Sequence, residues 1–133
     1  MEGKKKRILF IVNPVSGVNQ ARKSMLAELV ENVFDPNLFE WEISTSESAE
    51  HLTELSREAA AVDTDIIVAV GGDGTVNRVV KGMIGSNAAL ALVPAGSGNG
   101  LARHLGIPVD IIQSLKLIAE GKTHIIDTVN LNN

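Results

Sequence analysis

The predicted fold is decided by one stretch, Asp65-Ile66-Ile67-Val68-Ala69-Val70-Gly71-Gly72-Asp73-Gly74-Thr75-Val76-Asn77. An apolar run that does not alternate with polar residues is typical of a strand buried on both faces, as in a parallel sheet. The run stops at two glycines, which are followed by an aspartate, a third glycine and a threonine that can cap a helix. We therefore predict a buried strand, a tight turn, and a helix over 76–83.

The turn after this strand has the composition of a phosphate-binding site. Glycines let backbone N–H groups approach a phosphate, and the positive end of the next helix attracts the same group. Gly72 is expected to take a positive φ and to leave the space that a phosphate needs. A carboxylate repels phosphate, so Asp73 fits here if it contacts a proton or a metal ion beside the phosphate. The alternative is a tight turn in which Asp73 is a local cap.

The length and composition of the chain limit the classes of protein to which it can belong. The chain has 133 residues, enough for one domain with its own core, and its 3% aromatic content predicts an aliphatic core. A net charge of −4 argues against a nucleic-acid partner. Without cysteine there are no disulfides or cysteine metal sites. No apolar run is long enough to span a bilayer, so we expect a cytoplasmic protein.

Strands and helices alternate along the chain, which predicts an α/β fold with a mainly parallel sheet flanked by helices. The predicted strands cover 8–12, 39–44, 65–70, 88–93 and 123–131. Helices are predicted over 21–33, around Leu52, Leu55 and Ala59, and over 76–83, 101–105 and 110–120. The expected core faces of the first and last helices are Met25, Leu26, Leu29, Val30 and Val33, and Ile111, Ile112, Leu115 and Ile118. Gly82 and Gly85 are expected to end the helix over 76–83.

Polar or glycine-rich loops follow four of the predicted strands, at 13–17, 45–48, 71–75 and 96–99. The carboxyl ends of parallel strands share one edge, so these loops predict a phosphate-ligand site containing one carboxylate. The hydroxyls of residues 45–48 are either helix caps or phosphate donors, and capping accounts for one of them. His51 is expected to be a surface or capping residue. Asp127 falls on the apolar side of the last strand, where an unpaired carboxylate is costly, so it is a further site candidate.

A basic run, Lys4-Lys5-Lys6-Arg7, precedes the first strand. It is interpreted either as a solvated terminus or as an attraction to anionic lipid, worth about 1 kcal/mol per basic residue near the surface.

Three motifs resemble the diacylglycerol kinase catalytic family of lipid kinases, to which bacterial soluble diacylglycerol kinases and sphingosine kinases belong. They are Asn13-Pro14-Val15-Ser16-Gly17, Gly71-Gly72-Asp73-Gly74-Thr75 and Pro94-Ala95-Gly96-Ser97-Gly98-Asn99. The second motif also occurs in NAD kinases and phosphofructokinases, and the first narrows the choice to lipid kinases. The resemblance covers essentially all 133 residues. It implies that 1–133 is the nucleotide-binding N-terminal domain, with a fold like that of NAD kinase, and that the family's β-rich C-terminal domain is absent from this chain.

The resemblance also implies roles for particular residues. Asp73 would be catalytic, acting on the acceptor hydroxyl or through magnesium. The implied nucleotide-binding residues are Asn13, Pro14, Val15, Ser16, Gly17, Ser46, Gly71, Gly72, Asp73, Gly74, Thr75, Val76, Asn77 and Ser97. The other candidates are Thr45, Gly96, Gly98, Asn99 and Asp127. No complete metal site is expected in this chain. Gly100 and Arg78 depart from the family pattern, since many members have acidic residues at these positions.

The implied activity is an ATP-dependent lipid kinase, which transfers the γ-phosphate of ATP to a lipid hydroxyl with the help of Mg²⁺. The expected acceptor is diacylglycerol, giving phosphatidic acid for phospholipid biosynthesis, and a sphingoid base or another lipid is the alternative. An NAD kinase-like metabolite kinase and a non-catalytic nucleotide-binding module are the rival functions. The expected partners are ATP, the lipid, the anionic inner face of the membrane, bound peripherally, and further copies of the chain in a homo-oligomer. No nucleic-acid partner is expected.

Overall fold

The computed structural model describes residues 4–13, 20–94 and 111–121, and of residues 20–22 the backbone alone. The elements in chain order are β1 (Lys6–Val12), α1 (Gln20–Val33), β2 (Phe39–Thr45), α2 (Ala49–Ala60), β3 (Ile66–Gly71), α3 (Asp73–Met83), β4 (Ala89–Pro94) and α4 (Ile111–Ala119). Within the described ranges, the four strands form one parallel sheet in the order β2-β1-β3-β4. The predicted α/β fold is therefore confirmed. The helix predicted over 101–105 and the strand predicted over 123–131 lie outside the described residues.

Helices cover both faces of this sheet. The first face packs against Leu26, Val30 and Phe34 of α1 and its C-terminal end and against Leu115 and Ile118 of α4. The second face packs against α2 and α3, whose buried residues there are Leu52, Ala59, Val76, Val79, Val80 and Met83. Because β3 lies between both pairs of helices, all of its residues are buried, as its unbroken apolar run predicts.

Two residues of the predicted core faces are exposed. Met25 in α1 is 43% exposed and Ile112 in α4 is 40% exposed, so these two predictions are wrong. Only a narrow stripe of each helix points at the sheet, represented by Val30 in α1 and Leu115 in α4, both 0% exposed. Met25 and Ile112 lie beside these stripes, where neighbouring apolar residues in the sequence cannot reveal how wide the contact is.

The two glycines near the end of α3 have different roles. Gly85 follows the helix with a φ of 83°, a conformation that favours glycine, as expected for a residue that ends a helix. Gly82 lies inside α3, which runs to Met83 with Ile84 as its C-cap. A Cβ atom on Gly82 would overlap Ser56 of α2. The prediction that Gly82 ends the helix is therefore wrong, because its missing side chain serves the contact between α2 and α3.

All aromatic side chains of the protein, Phe10, Phe34, Phe39 and Trp41, gather on the first face. The ring of Phe34 makes edge contacts with Phe10 and Phe39 at centroid distances of 5.9 and 5.1 Å, and the Trp41 ring lies 6.0 Å away. The second face is aliphatic throughout its described core. The prediction of an aliphatic core therefore holds for one face of the sheet only.

Candidate functional site

The four strands end at one level of the sheet. Val12 at the end of β1 is paired with Thr45 of β2 and with Val70 of β3, and Gly71 is paired with Pro94 of β4. The chain leaves β1 for α1 on the first face and leaves the adjacent β3 for α3 on the second face. In open α/β sheets, ligands bind at the carboxyl ends of strands where successive connections part in this way. The edge between β1 and β3 is therefore the candidate site.

The turn from β3 to α3 is shorter than predicted. Gly71 ends the strand, Asp73 begins the helix, and Gly72 between them is the N-cap, with no side-chain cap hydrogen bond. Gly72 has a φ of −107° and a ψ of −162°, so the expected positive φ at this residue is wrong. The expectation that Thr75 caps the helix is also wrong, since it lies inside the first turn. The motif Gly71–Thr75 thus contains the last residue of β3 and the first turn of α3, with Gly72 as the one residue between strand and helix.

Thr75 ties the two central strands' ends together. It is 1% exposed, and Asn13 at the end of β1 donates a hydrogen bond from Nδ2 to Thr75 Oγ1 at 3.1 Å. A Cβ atom on Gly71 would overlap Thr75 Oγ1 and lie 3.0 Å from Thr75 Cβ. Gly71 is therefore required by close packing against Thr75. The side chain of Thr75 acts as a structural link below the turn.

The first turn of α3 is open on its other side. Asp73 and Gly74 are exposed, and a Cβ atom on Gly72 would meet nothing within 4 Å. The first N–H groups of a helix have no acceptor within the helix, and the positive end of the helix dipole favours a negative charge beside them. Asn77 is also exposed, one turn after Asp73 and hence on the same side of the helix. An anion beside this turn would meet backbone donors, one carboxylate and one amide.

Val76 differs from its neighbours because its side chain is 1% exposed and packs in the core of the second face. Any contact between Val76 and a nucleotide would therefore involve its backbone.

The end of β2 contributes hydroxyl groups to the same edge. Ser48 is the N-cap of α2 and accepts a hydrogen bond from His51 N at 3.1 Å, while Glu47 N donates to His51 Nδ1 at 2.9 Å. The capping role predicted for His51 is confirmed. The hydroxyl oxygens of Thr45 and Ser46 are buried and have no hydrogen-bond partner among the described residues. A buried hydroxyl left in this way costs about 1–3 kcal/mol, so these two groups are candidates for contact with a polar ligand.

The described ranges contain neither a cluster of metal-ligating side chains nor a helix that could span a membrane. No group of three or more histidine, cysteine, aspartate or glutamate side chains there could hold a metal ion. No helix within 20–94 or 111–121 is long and apolar enough to cross a bilayer.

A groove of about 450 Å³ lies away from the candidate site, between β2 and α2 on the second face. Its walls include Glu40 and Glu42 of β2 and Leu55 and Glu58 of α2. Polar side chains on this side of an edge strand are typical of a sheet face that is in contact with water. The polar lining of the groove is therefore explained by contact with water, and we do not assign a ligand to it.

The sequence model of one protein family, the diacylglycerol kinase catalytic domain, matches residues 7–131 of this chain. The chain belongs to the diacylglycerol kinase catalytic domain family. It is 35% identical to the diacylglycerol kinase of Bacillus subtilis over 130 residues, which cover 96% of this chain and 42% of that protein. It is 30% identical to sphingosine kinase 1 of Arabidopsis thaliana over 141 residues, covering 98% of this chain and 29% of the relative. The chain thus spans less than half the length of either relative.

The crystal structure of a diacylglycerol kinase from Bacillus anthracis has the same fold. It superposes with a TM-score of 0.70 and 28% sequence identity, over 90% of this chain and 44% of the crystallised one. The likeness to diacylglycerol kinases is therefore seen in structure as well as in sequence.

Not every residue predicted from the diacylglycerol kinase motifs lies within the described part of the chain. The structure brings Asn13, Thr45, Ser46 and the residues of 71–77 to one edge. The remaining candidates lie outside the described residues: Pro14, Val15, Ser16, Gly17, Gly96, Ser97, Gly98, Asn99 and Asp127. The structural link made by Thr75 was not predicted, because its partner Asn13 is 62 residues away in the sequence.

Proposed function

We propose that residues 1–133 are the nucleotide-binding domain of an ATP-dependent lipid kinase, whose lipid site is completed by a second, β-rich domain. The observation that carries this proposal is the open N-terminus of α3, which lies between the ends of β1 and β3 with the exposed Asp73 in its first turn. The family and the names of the relatives support the reaction class.

Phosphoryl transfer needs positioning and charge stabilisation more than covalent chemistry, because its transition state is loose. In our proposal, the N–H groups of Gly72, Asp73 and Gly74 face the phosphates of ATP, and the α3 dipole favours their negative charge. Asp73 orients the lipid hydroxyl and accepts its proton as the oxygen bonds to the γ-phosphorus and the bond from that phosphorus to the leaving oxygen of ADP breaks. Solvent exposure of Asp73 leaves room for an acceptor beside it.

The donor set at this turn fits magnesium. Mg²⁺ prefers oxygen ligands and is often held by one or two carboxylates together with substrate phosphates. As the alternative to its role as the base, the Asp73 carboxylate would hold the ion, with Asn77 one turn away as a neutral oxygen donor. When bound, the ion would neutralise charge that develops on the phosphate oxygens.

The end of β2 supports a role in ATP binding. Ser46 is 2% exposed, and the structure gives its hydroxyl no partner among the described residues, although its backbone N–H donates to Val12 O at 2.9 Å. A hydroxyl buried at the candidate edge and left without a partner favours a polar ligand group. We propose that Ser46, with Thr45 beside it, contacts ATP.

Diacylglycerol is the proposed acceptor, in keeping with the relative from Bacillus subtilis, and phosphatidic acid is the product. A sphingoid base is the alternative acceptor, favoured by the similarity to a sphingosine kinase. We further propose a cytoplasmic enzyme that meets its lipid at the inner face of the membrane and forms a homo-oligomer.

The basic run at the start of the chain is at the wrong edge for holding a lipid near Asp73. Lys4 Nζ lies 3.6 Å from Asp63 and Arg7 Nε lies 3.8 Å from Glu40, at the amino edge of the sheet. At about 3.3 Å per residue, the length of β1 puts this run roughly 20 Å from the candidate site. These contacts favour the interpretation of the run as a solvated terminus.

The experiment that tests the proposed function is an assay of the full-length protein with radiolabelled ATP against a panel of acceptors. Diacylglycerol, sphingosine, other lipids and NAD would be tested in parallel. We expect transfer of label to diacylglycerol. Transfer to NAD alone would establish the metabolite kinase instead, and ATP binding without transfer to any acceptor would favour the non-catalytic module.

A further inference from the structure

Two hydroxyl groups of α2 bind the backbone of α3. Thr53 Oγ1 donates to Arg78 O at 2.9 Å, and Ser56 Oγ lies 2.8 Å from Val79 O. Ser56 Oγ is also 3.1 Å from Thr53 O, but a hydroxyl has one proton, so the shorter contact with Val79 O is the donated hydrogen bond. Ser56 is 0% exposed, which makes this a fully buried polar contact between two helices.

Gly82 makes the same interface unusually close. A Cβ atom at Gly82 would overlap Ser56 Oγ and Thr53 O and would lie 2.7 Å from Arg57 N. The last two are backbone atoms of a regular helix, so they cannot rotate away as the end of a flexible side chain could. Even the methyl group of alanine would therefore push α3 away from α2.

These contacts near the C-terminal end of α3 also affect the position of its N-terminal end. Gly82 lies nine residues after Asp73, which is about 14 Å along the helix at 1.5 Å per residue. At the other end of α3, Val76 and Val79 pack the helix on the sheet, Thr75 is bonded to Asn13, and Gly72 is the backbone joint between α3 and β3. A shift at Gly82 would tilt α3 about this joint and move its first-turn N–H groups relative to the end of β1.

We propose that Thr53, Ser56 and Gly82 are positioning residues, which set the direction of α3 so that its first turn is placed for the phosphates of ATP. The inference rests on the proposed function in that it assigns the phosphates to this turn. It adds that the site is aligned from the far end of the helix by α2, through groups that touch no substrate.

A merely structural role would lower stability without a selective effect on ATP. The test therefore compares Gly82→Ala, Ser56→Ala and Thr53→Val with a control variant, Val30→Ala, in the full-length protein. Val30 is 0% exposed in α1 on the other face of the sheet, so its truncation weakens the core without touching α2 or α3. Thr53→Ser keeps the hydroxyl and serves as the conservative variant.

The measurements are the KM for ATP, the kcat with diacylglycerol vesicles, and hydrogen exchange at the amides of residues 76–79, the first of which donates to Gly72 O at 3.1 Å. We expect Gly82→Ala to raise the KM for ATP about tenfold or more, because a misplacement of about 1 Å in a site can cost up to about 100-fold. Ser56→Ala and Thr53→Val should raise it in the same direction, and Thr53→Ser should restore it. Exchange at 76–79 should quicken in Gly82→Ala and stay at the wild-type rate in Val30→Ala.

Equal KM values and equal exchange in Gly82→Ala and Val30→Ala, at similar melting temperatures, would overturn the inference. Failure of the proposed function is a separate outcome. If the wild-type protein labels no lipid, the hydrogen-exchange comparison still decides whether α2 positions the first turn of α3. Unchanged exchange at 76–79 in Gly82→Ala would overturn the inference in that case too.

Discussion

Asp73 is the residue at which two interpretations of the site differ most. Its place in the first turn of α3 suits any carboxylate, since the helix dipole favours a negative charge there by about 0.3–1 kcal/mol. The same place puts a negative charge beside the N–H groups that we assign to phosphate, where repulsion would weaken binding. If Asp73 only stabilises the helix, turnover should survive loss of its carboxylate. If Asp73 is catalytic, turnover should fall.

Replacing Asp73 by asparagine should separate them. We expect Asp73→Asn to lower the kcat of the full-length protein by about 100-fold or more, the usual range for loss of a general base. ATP affinity should be kept or should rise, because one negative charge near the phosphates is removed. Asp63→Asn is a matched control, since Asp63 is 82% exposed at the other edge of the sheet. Near-normal turnover in Asp73→Asn would reduce Asp73 to its role in the helix.

Ser46 allows a test in which stability and binding change in opposite directions. Because its buried hydroxyl has no partner among the described residues, Ser46→Ala should leave the melting temperature unchanged or raise it. ATP affinity should fall several-fold if the hydroxyl contacts the nucleotide. Thermal unfolding and calorimetric titration with ATP measure the two effects. A lower melting temperature with unchanged ATP affinity would mean that the hydroxyl serves the fold.

At the scale of elements, the junction between β3 and α3 offers a pair of adjacent glycines with different roles. Gly72→Val should fold, because the φ of −107° suits other residues and nothing lies within 4 Å of the new Cβ. Its branched side chain would occupy the space of a phosphate, so calorimetry should show a loss of ATP binding. Gly71→Ala should instead lower stability by about 1–3 kcal/mol, because its Cβ would overlap Thr75. Unchanged ATP affinity in Gly72→Val would place the phosphates elsewhere.

The elements themselves were largely predictable. Continuous apolar runs identified β1, β3 and β4, alternation of apolar and polar residues identified β2, and apolar residues at helical spacing identified the helices. The start of α3 at Asp73 was missed because glycine disfavours helices, and a Gly72 N-cap carries no side-chain signal. The contact of Gly82 with Ser56 depends on which helices are neighbours, which local patterns do not encode.

The location of the candidate site was predictable from local sequence patterns, but the contacts within it were not. The motifs identified the edge on which Asn13, Ser46 and Asp73 converge, because parallel strands share a direction. Which residues of the motif 71–77 are buried and which are exposed was not predictable. Thr75 and Val76 are buried whereas Asp73 and Asn77 are exposed, and only the early start of the helix decides which of them face outward.

For the whole molecule, we expect residues 1–133 alone to fold without phosphorylating lipid. Folding is expected because both faces of the sheet have their own packed core. Inactivity is expected because no carboxylate cluster in the described ranges completes a metal site, and the chain spans 42% of its relative from Bacillus subtilis. Circular dichroism and the radiolabel assay would test this, with size-exclusion chromatography to detect self-association. Turnover of diacylglycerol at the full-length rate would contradict the prediction.

The central position of β1 has a consequence for how the protein comes to be made. Of the four described strands β1 is synthesised first, yet one of its two edges pairs with β3, with Ile8 opposite Ile66. At about 5–20 residues per second, the ribosome needs roughly 3–12 s to add the residues between them. During this interval one edge of an apolar strand has no partner, and such edges promote aggregation. We therefore expect this edge of β1 to be an aggregation-prone feature of the nascent chain until β3 emerges.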